Sequence, residues 1–194
     1  LEHREEMAPH LIKIVETVAE NPLIYSLEQR NAHVYAAALL SHFGEPAAHL
    51  PLIRAFLIPE EQLVDIWGDM TTETLPTFLY RTSGGSLEAI KELVANREAD
   101  QYVRCAAMEA LSYCVAFHPF HRDEVVRFLQ GLFTGDEAAR DSYFWGNLAA
   151  TLCDLQPEES MAILRQAHEA GLIPKGFISL ENIEEANKKS REEA

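Results

Sequence analysis

The chain has 194 residues, of which 47% are apolar, so its composition is that of a folded protein with a substantial core rather than of a disordered segment. Thirty-one acidic residues outweigh sixteen lysines and arginines, and the resulting net charge of −15 argues against nucleic-acid binding because such a surface repels phosphate backbones. No apolar run approaches the ~20 residues that a membrane-spanning helix needs, so we expect no membrane insertion.

Helix signals begin near the N-terminus. An apolar stripe over residues 11–18 has the helical period, and Pro22 predicts the end of that helix because the residue before a proline is disfavoured in the helical region. Ser26 and Gln29 have capping-box spacing and predict the start of a second helix. Gly44 predicts its end.

Prolines and glycines divide the middle of the chain into short helices. Pro46 and Pro59 each lie at the start of an apolar segment, where a proline is tolerated in the first helical turn. A further helix reaches Tyr80 and accommodates Pro76 only if that residue falls in its first turn. Residues 84–85, both glycine, predict a turn and not a phosphate-binding loop, because the GxxxxGK[ST] pattern is absent.

The second half of the chain has the clearest helical periodicity. Three apolar stripes lie at residues 87–94, 103–114 and 125–133. Thr134 and Glu137 have capping-box spacing and predict the start of the next helix. Residues 182–194 are polar and charged, which predicts a helical or frayed tail after a single domain over residues 1–181. No run alternates as a strand does, so the sequence predicts an all-α fold.

One segment carries the signature of a helical repeat. Residues 87–117 predict two helices joined by a short turn. The second of these helices contains Asp100, then Val103-Arg104, then Ala110-Leu111. This order resembles the HEAT repeat, in which small residues between these positions let neighbouring helices approach closely.

Two other segments align with this unit. Its apolar anchor Val103 corresponds to Val34 and to Phe144, at separations of 69 and 41 residues. If the longer separation spans two units, the period is ~35–41 residues, within the range of two-helix repeats. The intervening unit would centre on residues 72–80. We therefore predict a right-handed α-α superhelix, an ARM/HEAT-like solenoid, of about four helix pairs.

Two longer strings extend the resemblance to one family. They are residues 97–104, Arg-Glu-Ala-Asp-Gln-Tyr-Val-Arg, and residues 65–69, Asp-Ile-Trp-Gly-Asp. Both are similar to strings in the bacterial domain-of-unknown-function family 1186. The resemblance covers nearly the whole chain, supports the helical-repeat fold and implies no known activity. The chain opens on Leu1 without an initiator methionine, and we expect native residues upstream of it.

The three cysteines, Cys105, Cys114 and Cys153, favour a reducing compartment. The first two are nine residues apart in one predicted helix, so they lie ~13 Å apart, beyond the ~7 Å that a disulfide permits. An odd number of scattered cysteines without a CxxC motif predicts a cytoplasmic protein. Cys105 and Cys114 lie on or near an apolar stripe, which favours core packing over nucleophilic catalysis.

Sequence motifs for catalysis and metal binding are weak. His118 and His121, with Asp123 and Glu124 nearby, form the best metal-like cluster. A structural zinc site needs four ligands in paired spacings, so a surface loop with Asp123 as a helix cap is the favoured interpretation. The HExxH and GxSxG patterns are absent. We therefore assign no catalytic residue, no metal and no cofactor.

A column of repeat positions is the best candidate for a binding surface. Tyr35, Arg104 and Trp145 each follow an anchor by one residue, and Tyr102 and Tyr143 precede two of the anchors. Stacked helix pairs align such positions on one surface, and these residue types are frequent binding anchors. The alternative is a structural role, with the arginine tied to an acid such as Asp100 and the aromatic residues at the edge of the core.

Two function hypotheses follow. The first is a non-catalytic scaffold that binds an unknown protein or peptide, since the repeat architecture is present and catalytic motifs are not. The second is a small-ligand-binding protein or enzyme with an internal acidic and histidine cleft. That cleft would be formed by Trp67, Asp69, His118 and His121, and it requires these side chains to converge in one deep pocket.

Overall fold

The computed structural model describes residues 3–28, 31–155, 157–174 and 176–193; Leu1 and Gln29 lie outside them. Within these residues the chain forms helices and loops without a strand, which confirms the all-α prediction. The α-helices are α1 (Arg4–Glu20), α2 (Pro22–Glu28), α3 (Ala32–Phe43), α4 (His49–Phe56), α5 (Glu60–Trp67), α6 (Met70–Glu73), α7 (Leu75–Thr82), α8 (Glu88–Ala95), α9 (Gln101–Phe117), α10 (Arg122–Gln130), α11 (Tyr143–Asp154), α12 (Met161–Glu169) and α13 (Leu180–Glu193).

The helices pack against near neighbours in the chain. Helix α1 packs against α3, α4 against α7, and α8 against α9, while α3, α7, α9 and α11 contact one another in that order. Helix α9 lies in the middle and contacts α6, α7, α8 and α11. Its small residues Ala106, Ala107 and Ala110 are buried, which allows these neighbours to approach closely.

The α8–α9 unit forms as the sequence predicts. The Asp100 carboxylate accepts hydrogen bonds from the backbone N–H groups of Tyr102 (2.8 Å) and Val103 (3.3 Å), so it caps the N-terminus of α9. Pro76 occupies the first turn of α7, where its missing N–H costs no helical hydrogen bond. The turn after α7 contains Gly84 and Gly85 with φ of 61° and 88°, a region that disfavours other residues.

Both capping-box predictions are wrong. Ser26 lies inside α2 and its hydroxyl donates to the Asp65 carboxylate (2.6 Å), while the next helix begins at Ala32. The Thr134 hydroxyl accepts from the backbone N–H of Asp136 within a local turn. Helix α11 begins only at Tyr143, and its cap is Ser142. Spacing alone does not start a helix, because a serine or threonine side chain also stabilises turns.

The C-terminal part of the chain folds back on the helix pairs. The predicted tail falls in α13, apart from residue 194, which lies outside the described residues. Helix α13 contacts α11 and α12, and its Ile183 is fully buried. None of the described helices has the length and apolar character that crossing a membrane requires.

Candidate functional site

Arg104, one of the predicted binding residues, is buried in the core with only 3% of its surface exposed. Its Nε donates to the Val94 carbonyl (2.8 Å) and its Nη1 to the Glu137 carbonyl (2.7 Å). The guanidinium lies 4.0 Å from the centre of the Phe144 ring. Burial lowers the pKa of this arginine. The side chain therefore joins α8, α9 and the segment before α11, and no docking partner reaches it.

The acid that pairs with Arg104 is Glu137 and not Asp100. One Glu137 oxygen lies 3.5 Å from Arg104 Nη2, and the same carboxylate accepts two hydrogen bonds from Arg97, at 3.2 and 2.8 Å. Arg97 and Arg104 begin and end the string that resembles the family. The two arginines of that string therefore have a structural role, since both contact the carboxylate of the buried Glu137. The capping-box spacing of Glu137 predicted a helix start and gave no sign of this role.

The predicted column of Tyr35, Arg104 and Trp145 does not form one exposed surface. Trp145 is fully buried and its Nε1 donates to the Ala139 carbonyl (2.9 Å). Tyr35, in contrast, is 70% exposed on α3. The positions that the sequence aligned therefore differ in burial, and Trp145 is enclosed where it contacts the segment that contains Ala139.

Tyr102 and Tyr143 do lie side by side on the surface. They are 41% and 51% exposed, and their ring centres are 5.8 Å apart. The ring of Phe177 continues the series, 6.0 Å from that of Tyr143. We call Tyr102, Tyr143 and Phe177 the aromatic row. It runs across the N-terminal ends of α9 and α11 to the loop before α13.

Gly146 positions the third ring of the aromatic row. A Cβ atom at this buried glycine of α11 would overlap the Phe177 ring, so the ring packs directly on the helix backbone. Phe177 was missed because nothing in its local sequence indicates which helix it contacts. Its signal was the lone glycine within the helical pattern of α11, which often marks a close packing contact.

A cavity of about 330 Å³ adjoins the aromatic row at Tyr102. Its walls come from α5, α6 and the start of α9. Apolar groups and three carboxylates line it together. We call this cavity the acidic pocket; its lining residues are Glu60, Leu63, Val64, Gly68, Asp69, Thr71, Thr72, Asp100 and Tyr102.

The two halves of the predicted acidic and histidine cleft do not converge. Asp69 lines the acidic pocket at the N-terminal end of α9, whereas His118 follows the C-terminal end of that helix, about 24 Å away along its axis. Trp67 is buried, with its ring stacked 4.1 Å from Phe56, and its Nε1 donates to the Ala55 carbonyl. These residues therefore do not form a single catalytic cleft.

His118 and His121 instead line a separate cavity of about 310 Å³, together with Tyr80, Arg81 and the glycine turn at residues 84–85. The two imidazole rings are 6.3 Å apart. Among the residues that the structure describes, no three side chains of His, Cys, Asp or Glu come close enough to hold a metal ion.

Cys105 and Cys114 pack in the core, as their positions near apolar stripes indicated. Cys105 and Cys114 are buried, and Cys153 is half-buried. Burial raises the pKa of Cys105 to about 12 and the pKa values of Cys114 and Cys153 to about 11. Thiols with such values remain protonated near neutral pH and are poor nucleophiles.

Comparison with known proteins identifies the family. All of residues 1–194 match the model described as "Protein of unknown function (DUF1186)". The chain is 30% identical over 180 residues to an uncharacterized protein of Chlamydia trachomatis serovar D, covering 92% of this chain and 71% of that protein. It is 31% identical over 180 residues to an uncharacterized protein of Chlamydia muridarum, and the match covers 92% of this chain and 72% of that protein. No solved structure matches the chain. The chain therefore belongs to the DUF1186 family.

Proposed function

We propose that this protein is a non-catalytic scaffold that binds a protein or peptide through the aromatic row. The observation that carries the proposal is the exposure of Tyr102 and Tyr143 in mutual contact beside a cavity. Large aromatic side chains that remain exposed in a cluster are typical of binding surfaces, since they provide contact area at low entropic cost.

The arrangement of the helices supports the scaffold proposal. The second helices of the pairs contact one another in chain order, as they do in a HEAT-like superhelix. In such a solenoid, equivalent ends of successive helices form a continuous surface. We propose this superhelical architecture, in a single domain over residues 1–181, as the frame that aligns Tyr102 at the start of α9 with Tyr143 at the start of α11.

The chemistry of the chain supports a protein partner in the cytoplasm. A net charge of −15 disfavours nucleic acid as the partner, because phosphates would be repelled. Free, protonated cysteines are compatible with a reducing compartment. No step of this proposal requires a nucleophile, a metal ion or a cofactor.

A peptide-selection experiment tests the proposal. A displayed library of random peptides is selected against the chain, and each selected peptide is measured against three variants. Tyr102→Ala and Tyr143→Ala remove exposed rings of the aromatic row. Phe120→Ala is the matched control, because Phe120 is 78% exposed and lies just beyond the opposite end of α9.

We expect selected peptides to bind at least about tenfold more weakly to the Tyr102→Ala and Tyr143→Ala variants, as at a typical interface hot spot. Binding to the Phe120→Ala variant should be unchanged. Alanine suits both helical positions, so the fold is retained, and circular dichroism checks this. If no peptide is selected, or if all selected peptides bind these variants equally, the proposal is wrong.

A further inference from the structure

We infer that the acidic pocket is a subsite for a lysine or arginine side chain of the partner, so that the protein recognises a basic segment. This inference rests on the proposed function, because the partner reaches the pocket from the aromatic row. It adds the chemical class of the partner, which exposed aromatic residues alone do not define.

The lining of the acidic pocket suits a long cationic side chain. Leu63 and Val64 contribute apolar groups, and Tyr102 both lines the pocket and contacts Tyr143 of the aromatic row. The methylene stem of lysine or arginine packs well on apolar groups while its head remains polar. A nearby tyrosine ring adds a favourable cation–π contact.

Within the described residues, no lysine, arginine or histidine forms an ion pair with Glu60, Asp69 or Asp100, although pairs occur elsewhere on the surface. Asp100 also caps α9, so part of its charge offsets the partial positive charge of that helix end. Glu60 and Asp69 leave an excess of negative charge beside an apolar wall.

Charge complementarity therefore selects the occupant. An acidic segment would meet three carboxylates, of which only Asp100 is partly offset by a helix end, and a chain with a net charge of −15. A purely apolar segment would pack on the apolar side of the pocket and would leave the carboxylates without a partner. A basic segment satisfies both parts of the pocket, and attraction over the whole surface accelerates its approach.

Variants that preserve shape test the inference. Glu60→Gln, Asp69→Asn and Asp100→Asn are combined in one chain, which reduces the net charge from −15 to −12 because three carboxylates are neutralised. Asparagine caps helices as well as aspartate does, so α9 keeps its N-terminal hydrogen bonds.

The matched control combines Glu92→Gln, Glu169→Gln and Glu181→Gln, which are exposed glutamates outside the pocket lining, and has the same net charge. Two synthetic amphipathic helical peptides serve as probes. One carries leucine and lysine, and in the other every lysine is replaced by glutamine. Fluorescence anisotropy measures affinity, and NMR shifts of Tyr102 and Val64 report the place of binding.

We expect the lysine peptide to bind about tenfold more weakly to the pocket variant than to the control variant, because its cationic side chain loses the attraction of three solvent-accessible carboxylates. Equal losses for both variants would mean diffuse attraction and would overturn the inference. Equal affinity for the glutamine and lysine peptides would also overturn it. In both cases the proposed function would still stand if the peptides from the displayed library bind more weakly to Tyr102→Ala and Tyr143→Ala. Failure of this inference can therefore be told apart from failure of the proposed function.

Discussion

Replacing Glu137 by glutamine removes the carboxylate that Arg97 and Arg104 share. Within the described residues, this is the only carboxylate within ion-pair distance of the buried Arg104 guanidinium. The substitution keeps the size of the side chain, and the backbone carbonyl of residue 137 still accepts from Arg104 Nη1. The perturbation is therefore mainly the loss of negative charge next to a buried positive charge.

The expected cost follows from the burial of each partner. Arg104 is 3% exposed, so its charge loses compensation in a region of low dielectric constant, where breaking a pair costs up to 3–5 kcal/mol. Its 3.5 Å distance to the carboxylate is long, and two carbonyl acceptors remain. We therefore expect Glu137→Gln to lower the free energy of unfolding by about 2 kcal/mol.

Urea denaturation, followed by far-UV circular dichroism, measures this change. Arg97→Gln is the matched control, because it removes the other partner of Glu137 from a solvent-exposed position, where water screens the charge. Arg97→Gln should lower the free energy of unfolding clearly less than Glu137→Gln does. In a chain that already carries Glu137→Gln, it should lower that free energy little further. If the two single variants are equally stable, compensation of the buried Arg104 charge by Glu137 is refuted.

Two further predictions concern packing and pH. Gly146→Ala should displace the Phe177 ring from α11 and speed hydrogen exchange in α13, because a methyl group has no room there. Burial lowers the pKa of His49 below the ordinary imidazole value of about 6.5. The stability that the neutral His49 side chain contributes is therefore full above pH ~6.5, and it is lost as the pH falls through the lowered pKa of the folded state. Replacing His49 by glutamine should reduce this acid dependence of the free energy of unfolding.

Exposed positions provide the controls for both predictions. Gly135→Ala adds a methyl group where nothing lies within 4 Å and should leave exchange in α13 unchanged, although its positive φ costs some stability. His118→Gln, at an exposed position, is the control variant for His49→Gln. Unchanged exchange in the Gly146→Ala variant, or an unchanged pH profile in the His49→Gln variant, would contradict the respective prediction.

Local patterns in the sequence correctly predicted an all-helical chain and some of the helix ends. Apolar residues at helical spacing predicted α8 and α9, Asp100 predicted the N-cap of α9, and Pro76 fell in the first turn of its helix, as required. These features depend on residues within one or two turns of each other, so the sequence contains all that determines them. The composition likewise determined the net charge on which the proposed class of partner rests.

Contacts between distant residues decided the candidate site. Glu137 has the spacing of a capping residue, yet its carboxylate pairs with Arg97, forty residues earlier in the chain. The sequence alignment predicted corresponding positions for Arg104 and Tyr35, yet Arg104 is buried and Tyr35 is exposed, because the two side chains have different neighbours in the fold. Phe177 joins the aromatic row only because a loop packs on a glycine of α11. Sequence periodicity determines which face of a helix is apolar, whereas the tertiary structure determines which part of that face remains free to bind.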